Sequence, residues 1–198
     1  MTLPLPLVAH AAFWCAFTVT LLASRRGPAR PPPSVAPPVS SPVSAKLSRT
    51  LVAVHAVGFL VMYRGVGHVL ATRPAAATAL DLRAALGLAS IALAGALACL
   101  ALVHFRSWRL RATLDAGHEL ATGGPFRRVR HPIYAALDLF ALGTAVWLPA
   151  PLTWLGAVLV VLGGDLRARA EERVLLQAFG PAYAAYCART KRLLPGVY

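Results

Sequence analysis

Five apolar stretches separated by short polar segments constrain this chain more than any other feature of its sequence. They cover roughly residues 3–23, 51–70, 84–105, 133–148 and 152–164. A membrane-spanning helix needs about 20 apolar residues, so the first three stretches are long enough and the last two are short. Hydrophobic residues make up 58% of the chain and charged residues only 14%, which is outside the usual range of soluble domains. The pattern therefore predicts an all-α fold, a polytopic membrane bundle of five transmembrane helices with a cytoplasmic C-terminal helical cap.

The connections between the stretches predict how the chain is organised. Pro149-Ala150-Pro151 separates the last two stretches, which favours an antiparallel helical hairpin over 132–164 whose second arm continues into a polar tail. The first stretch has neither a basic segment before it nor a small-residue cleavage site after it, so we interpret it as a helix and not as a signal peptide. We expect residues 1–116 to hold three helices and a Pro-rich cytoplasmic linker at 24–48. Residues 117–198 would form the catalytic region, with the hairpin and a cofactor-binding tail.

The basic residues follow the topology of the chain. The formal net charge is +13, and all of the 20 Lys and Arg residues except Arg64, Arg73 and Arg83 follow the first, third or fifth stretch. By the positive-inside rule the N-terminus is external and the C-terminus is cytoplasmic, in a bacterial-type inner or plasma membrane. This charge favours membrane lipids with anionic headgroups. Nucleic acid is not an expected partner, because the basic residues are not interleaved with base-stacking aromatic residues.

Cysteine and histidine residues show neither a disulfide framework nor a metal site. The three cysteines lie far apart, and the histidines of the first three stretches lack the i, i+4 pairing of metal ligands. Hydrogen bonding between helices accounts for those histidines. The residues concerned are Cys15, Cys99, Cys187, His10, His55, His68 and His104.

Polar residues gather at the start of the fourth stretch. A loop at 118–126, with a paired glycine and a proline, can fold back over a site. Arg130 and His131 precede Pro132, which suits the first turn of a helix because its missing N–H is not needed there. Both side chains are therefore expected at a helix N-terminus with exposed backbone donors. The alternatives are that Arg130 only anchors the chain at the membrane surface and that His131 only caps the helix.

A second polar run, at 165–176, follows the fifth stretch. At helical spacing Arg167 and Glu171 share one face, whereas the adjacent Glu171 and Glu172 point about 100° apart. One glutamate would then bind a ligand while the other is held by an arginine. A solvated helix laced with salt bridges is the alternative.

Asp138 is an ionisable residue at membrane depth, one helical turn beyond Tyr134. Such residues are functional by default, so Asp138 and Arg64 are candidates for lining a substrate channel. A structural pair between Asp138 and Arg64, or a neutral acid at Asp138, explains the same residues.

Five motifs occur in order between residues 118 and 195. They are His-x-Leu-x-Thr-x-Gly-Pro-Phe at 118–126, Arg-His-Pro-x-Tyr at 130–134, Arg-x-Arg-x-Glu-Glu at 167–172, Phe-Gly-x-x-Tyr-x-x-Tyr at 179–186, and Leu-Pro at 194–195. This ordered set resembles the isoprenylcysteine carboxyl methyltransferase family and the related phospholipid methyltransferases. The resemblance covers about 80 residues by count and leaves the first three stretches unmatched beyond their apolar character.

The resemblance implies S-adenosylmethionine as cofactor, in a pocket at the cytoplasmic membrane face that the C-terminal tail closes. It implies contacts from His131 and Tyr134, and an ammonium ligand in Glu171 or Glu172. Arg130 and Arg167 are implied for anionic groups of the cofactor or the substrate, and with Glu171 they are the candidate catalytic residues. The remaining cofactor-binding candidates in the matched motifs are His118, Leu120, Gly124, Pro132 and Tyr183. For Tyr134 and Tyr183, an ordinary role as interfacial aromatics is the alternative.

The implied substrate is lipophilic and enters from the bilayer, either a prenylated molecule with an isoprenylcysteine-like carboxylate or a small isoprenoid or lipid. A carboxylate acceptor is already ionised near neutrality and needs no general base. An NADPH-dependent membrane reductase of the sterol reductase type is the first rival, because its tail also ends near Tyr-Cys and Pro-x-x-Tyr. Arg130-His131-Pro132 and Glu171-Glu172 argue against it. The second rival is a membrane assembly factor without enzymatic activity.

Overall fold

A computed structural model describes residues 3–25, 45–74, 79–105 and 120–198, and this part of the chain is helical, as the all-α prediction requires. A short 3-10 helix, Gly124–Arg127, precedes the last two α-helices. The α-helices are α1 Leu5–Arg25, α2 Ala45–Thr72, α3 Leu82–His104, α4 Pro132–Trp147 and α5 Pro151–Arg189.

Four of these helices, α1, α2, α3 and α5, are long and apolar enough to cross a membrane. The fourth helix, α4, has 16 residues and is about 24 Å long, which is less than the roughly 30 Å of a hydrocarbon core. Most of its residues are buried, because it packs against α3 on one side and α5 on the other. Protein rather than lipid therefore surrounds most of this short helix.

Glycines allow α2 and α5 to pack closely. Gly58 and Gly65 of α2, and Gly156 and Gly163 of α5, are each seven residues apart and therefore share one face of their helix. A Cβ atom on Gly58 would lie 2.7 Å from the backbone N of Val160, and one on Gly65 would lie 2.9 Å from the backbone C of Leu152. The two backbones can approach this closely only without these side chains.

One glycine of the Ala-rich α3 has the same role toward α4. A Cβ atom on Gly87 would lie 2.9 Å from the carbonyl oxygen of Gly143 and would collide with Trp147. A Cβ atom on Gly95, by contrast, would be 3.6 Å from Phe13, which is an ordinary contact. The close approach of α3 and α4 therefore depends on Gly87 and not on Gly95.

A three-residue connection joins α4 to α5. The backbone N–H of Ala150 donates to the Thr153 hydroxyl at 2.9 Å, and that hydroxyl donates to the Leu148 carbonyl at 2.7 Å. All three residues are buried. This tight turn sends α5 back along α4, so that the middle of α5 returns to the level at which α4 begins.

The long helix α5 is interrupted at Gly180, where φ is 49° and ψ is −124°. A positive φ strains most side chains but not glycine, and the following Pro181 cannot continue the helical hydrogen bonding. After the last turn of α5, the chain pairs with the segment before α4. Arg130 N–H donates to Lys191 O at 2.8 Å, and His131 N–H donates to Arg192 O at 3.1 Å.

Replacing Gly156 with alanine should destabilise the protein, because the new Cβ would collide with the backbone of Met62. Overpacking of this kind costs about 1–3 kcal/mol. Gly67→Ala is the matched control, because a Cβ there meets nothing within 4 Å. Thermal unfolding in detergent, followed by circular dichroism, should show a lower midpoint for Gly156→Ala only. Equal midpoints for the two variants would contradict this account of α2 and α5.

Candidate functional site

The start of α4 and the middle of α5 bring a tyrosine, a histidine and two glutamates together. The Tyr134 hydroxyl donates a hydrogen bond to Glu171. The His131 ring stacks on the Tyr134 ring, with centroids 5.7 Å apart. Its Nδ1 lies 3.6 Å from Glu171 Oε2 and its Nε2 lies 3.4 Å from Glu172 Oε1. Two carboxylates thus face one imidazole.

Glu172 is also held by two arginines from different parts of the chain. Arg130 Nε donates to Glu172 Oε1 at 2.8 Å, and Arg192 Nη2 donates to Glu172 Oε2 at 2.8 Å. Arg130 further donates to the carbonyls of Cys187 and Thr190. These side chains are only 11–18% exposed, so solvent screens the contacts weakly. Arg130 therefore ties the start of α4 to the end of α5.

Residues 191–198, the tail segment, close over α5 through a second polar group. The Tyr198 hydroxyl donates to Asp165 Oδ1 at 2.8 Å, and its ring lies 5.0 Å from the guanidinium carbon of Arg192. Arg169 pairs with Asp165 at 2.7 Å. The hydrogen bonds that Arg192 donates to Glu172 and the contact with Tyr198 raise the pKa of Arg192 further above its usual value. Sequence reasoning did not identify this group, because its members are distant in the chain.

A buried group on the membrane side of the site includes a residue from α2. The guanidinium carbon of Arg167 lies 4.8 Å from the Tyr134 ring centroid. Arg167 Nη1 lies 3.1 Å from His55 Nδ1, and both side chains are buried. For His55, the sequence pattern predicts only a hydrogen bond between helices. The sequence does contain a pattern that indicates contact between His55 and α5, because His55 shares its helical face with Gly58 and Gly65, the face that packs on α5.

The loop before α4 is described only from Leu120 onward. His118 lies outside the described residues. Leu120 is half-buried. Gly124 is exposed and has a φ of 55°. It lies against the His104 ring, with which a Cβ atom on Gly124 would collide. Pro132 opens α4, as its position in the sequence predicts.

The two channel candidates, Asp138 and Arg64, do not form an ion pair with each other. Asp138 is 9% exposed and lies against Gly164 of α5. A Cβ atom on Gly164 would be 3.1 Å from Asp138 Oδ1. Arg64 is exposed, and the ion pairs within the described ranges do not join it to Asp138.

Buried polar atoms without a hydrogen-bond partner concentrate around this site. Buried polar groups are normally hydrogen-bonded, so each such atom marks a place where a partner is expected. In the part of the chain that the structure describes, three of them belong to residues at or next to the site: His55 Nε2, Asp138 Oδ1 and the Tyr183 hydroxyl. The others are His10 Nδ1 and Trp147 Nε1. The arrangement is suited to a polar ligand.

Beside the carboxylates lies a basic depression of about 330 Å³ between the end of α5 and the tail segment. Its lining includes four cationic side chains, Arg130, Arg189, Lys191 and Arg192. The site therefore presents carboxylates and guanidinium groups side by side. Among the described residues, His, Cys, Asp and Glu side chains form no group of three that is suited to a metal ion.

The protonation of His131 is set by its neighbours. Burial alone would lower the pKa of His131, but Glu171 and Glu172 outweigh it and raise that pKa above the usual value of 6.5. The charged ring therefore stabilises the folded protein below about pH 6.5, and this contribution is lost as the pH rises through the raised value.

Thermal unfolding of the wild type and of His131→Gln between about pH 6 and about pH 9 tests whether a charged His131 ring stabilises the folded protein. The unfolding midpoint of the wild type should exceed that of the variant at the acid end, and the difference should shrink toward the alkaline end. A difference that does not change with pH would show that the carboxylates do not hold a charged ring.

Known proteins match the region that contains this site. The profile of the phospholipid methyltransferase family matches residues 82–182, just over half of the chain. Proteins named "Probable protein-S-isoprenylcysteine O-methyltransferase" from Oryza sativa subsp. indica and subsp. japonica are each 34% identical over 87 residues. Each match covers 43% of this chain and 46% of the relative, so the chain spans less than half the length of these relatives. The chain belongs to the phospholipid methyltransferase family.

Proposed function

We propose that this chain is an integral membrane methyltransferase that uses S-adenosylmethionine and acts on a lipophilic acceptor. The observation that carries the proposal is the group formed by His131, Tyr134, Glu171 and Glu172, which lies within the family match and is surrounded by unpartnered buried polar atoms.

The chemistry of the side chains fits this cofactor. S-adenosylmethionine carries a cationic ammonium and sulfonium and an anionic carboxylate, so its pocket needs negatively and positively charged side chains close together. Glu171 or Glu172 would hold the ammonium, and Arg130 would hold the carboxylate. The Tyr183 hydroxyl, which is buried and has no hydrogen-bond partner among the described residues, offers a further polar contact. When bound, the cofactor would supply a methyl group on a sulfonium: an acceptor atom would attack the methyl carbon in line, and the sulfur would leave as a neutral thioether.

The protein's own residues orient the groups and exclude water. Tyr134 fixes one oxygen of Glu171, and the two arginines fix Glu172, so both carboxylates are held before a ligand binds. Prepositioned groups of this kind lower the entropic cost of reaching a reactive geometry. The tail segment covers this region of α5 through Arg192 and Tyr198, which limits access of water. A carboxylate acceptor needs no base, whereas for an amine or thiol Glu171 would take the proton.

The acceptor is proposed to enter from the bilayer. The matched relatives are named for an isoprenylcysteine substrate, and an isoprenylcysteine-like carboxylate or a small isoprenoid or lipid fits a site at the base of apolar helices. The helices α2 and α4 both pack on α5 but scarcely against each other. We propose that the acceptor approaches between them, along a path lined by Asp138 and Arg64.

The proposed topology has five crossings. The four long helices cross the membrane, and α4 completes the hairpin with α5. The polar half of α5 and the tail segment then form a cytoplasmic cap, which places the site at the cytoplasmic face. Membrane lipids with anionic headgroups would surround its basic rim.

Ligand binding to the purified protein in detergent tests the proposed activity. The wild type should bind S-adenosylmethionine and not NADPH. Glu172→Gln should weaken binding of S-adenosylmethionine about tenfold or more, because one charge-assisted contact of this kind is worth about 1.5–3 kcal/mol. Isothermal titration calorimetry measures both constants. Asp81→Asn is the control, since Asp81 caps the N-terminus of α3 and is not part of the group around Glu172. Binding of NADPH alone would support a reductase and would contradict the proposal.

Cysteine-accessibility labelling tests the five crossings. Single cysteines introduced at Leu3 and at Val197 should react from opposite sides of sealed membrane vesicles, because an odd number of crossings separates them. Both residues are exposed in the structure. Labelling of both from the same side would refute the topology.

A further inference from the structure

The basic depression between the end of α5 and the tail segment carries more positive charge than the acidic residues near it balance. Glu172 pairs with both Arg130 and Arg192, each at 2.8 Å. Asp165 pairs with Arg169 at 2.7 Å and with Arg192 at 3.5 Å. Two carboxylates therefore serve three guanidinium groups, before the other cations of the wall are counted.

The other two cations of the wall are Arg189 and Lys191, and both residues are exposed. The ion pairs among the described residues include neither of them. Outside the described ranges the sequence holds two further acidic residues, Asp115 and Glu119, together with five arginines. Even with both of these acids beside the depression, five cations would exceed four side-chain carboxylates. The net charge of this surface is therefore positive.

Exposed apolar side chains border the same depression. Val197 lines it and is 75% exposed, and Leu194 of the tail segment is 56% exposed. The backbone N–H of Arg130 donates to the Lys191 carbonyl, so the tail segment starts at the level where α4 begins. The apolar hairpin of α4 and α5 starts at that level, and there a bilayer presents its headgroups beside its hydrocarbon core. Basic and apolar side chains are thus exposed together at the membrane boundary.

An anionic phospholipid fits both properties of this surface. Its phosphate accepts charge-assisted hydrogen bonds from arginine and lysine, and its acyl chains give the exposed apolar side chains a partner. Basic pockets at the ends of membrane helices are suited to such headgroups. The volume of about 330 Å³ is in the range of sites for small molecules. A soluble phosphate would satisfy the cations but would leave Leu194 and Val197 without a partner.

We propose that this depression binds the headgroup of one anionic phospholipid. Arg189 and Lys191 hold its phosphate. Its acyl chains lie along Leu194 and Val197. The lipid is a single, saturable partner and not part of a general layer of anionic lipid around the basic rim. The inference is independent of the proposed methyl transfer, because a lipid such as phosphatidylglycerol has no amine, thiol or carboxylate that could accept a methyl group.

A bound lipid also affects the tail segment. Four cationic side chains line one small depression, and like charges at this distance repel one another. The negative charge of a phosphate reduces that repulsion. The lipid therefore stabilises the tail segment in its position over α5.

Native mass spectrometry of the full chain in detergent tests the site, with dioleoylphosphatidylglycerol as the probe and dioleoylphosphatidylcholine as the zwitterionic comparison. The wild type should bind one molecule of the anionic lipid about tenfold or more tightly than the zwitterionic lipid, because both exposed cations contribute. The double variant Arg189→Gln/Lys191→Gln should lose this preference.

The matched control is Arg73→Gln/Arg83→Gln, which removes the same number of positive charges and should keep the preference. These two arginines flank the connection between α2 and α3. The other end of α3 lies against Gly124, close to the start of α4, so the control charges are at the opposite end of the bundle from the depression. Glycerol 3-phosphate carries a phosphate without acyl chains, and it should not displace the anionic lipid at equal concentration.

Each outcome decides the inference. It is overturned if the wild type binds the two lipids equally, a comparison that needs no variant to fold. It is also overturned if the double variant keeps the preference or if the control loses it as well, because the lipid would then respond only to the total charge of the chain. Displacement by glycerol 3-phosphate at equal concentration would assign the depression to a soluble phosphate and would overturn the lipid. Thermal unfolding of each variant reports folding, and none of these results depends on binding of S-adenosylmethionine.

Discussion

The carboxylate of Glu172 holds together three segments that the sequence separates. It accepts hydrogen bonds from Arg130, directly before α4, and from Arg192, in the tail segment, while it projects from α5 itself. Removing a charge from a mostly buried pair leaves its partners uncompensated, so the loss of Glu172 would affect two guanidinium groups at once. The backbone pairing of residues 129–131 with residues 191 and 192 depends on the same alignment. The position of His131 between Glu171 and Glu172 follows from it.

Close packing of helices at glycine positions brings these segments to the same level. The tight turn at 148–150 directs α5 back along α4, and the glycines of α2 and α5 let those backbones approach. Because membrane lipid is as apolar as leucine, close van der Waals packing rather than burial of apolar area drives such contacts. The same geometry brings His55 of α2 beside Arg167 of α5. The apolar helices are thereby connected to the polar site.

Much of this arrangement could be predicted from the sequence. The long apolar stretches became helices, and the segments at 130–134 and 167–172 meet, with Glu172 paired to arginine while Glu171 faces Tyr134 and His131. Local patterns carry this information, because a helix start and a helical face are set by neighbouring residues. The partners of His55, Arg192 and Tyr198 could not be predicted in this way, since they depend on which helices pack together and where the tail segment folds. The interruption of α5 at Gly180 was not predicted either, although Gly180 and Pro181 lie in the motif at 179–186.

The proposed function of this site is methyl transfer from S-adenosylmethionine to a lipophilic acceptor. The most direct measurement incubates the purified protein in detergent with S-adenosylmethionine labelled in the methyl group, together with a membrane lipid extract or N-acetyl-S-farnesylcysteine, and counts label in the organic phase. The account predicts time-dependent labelling by the wild type and little above background by Glu172→Gln. No labelling of either acceptor by a wild type that oxidises NADPH in the presence of the same extract would contradict it.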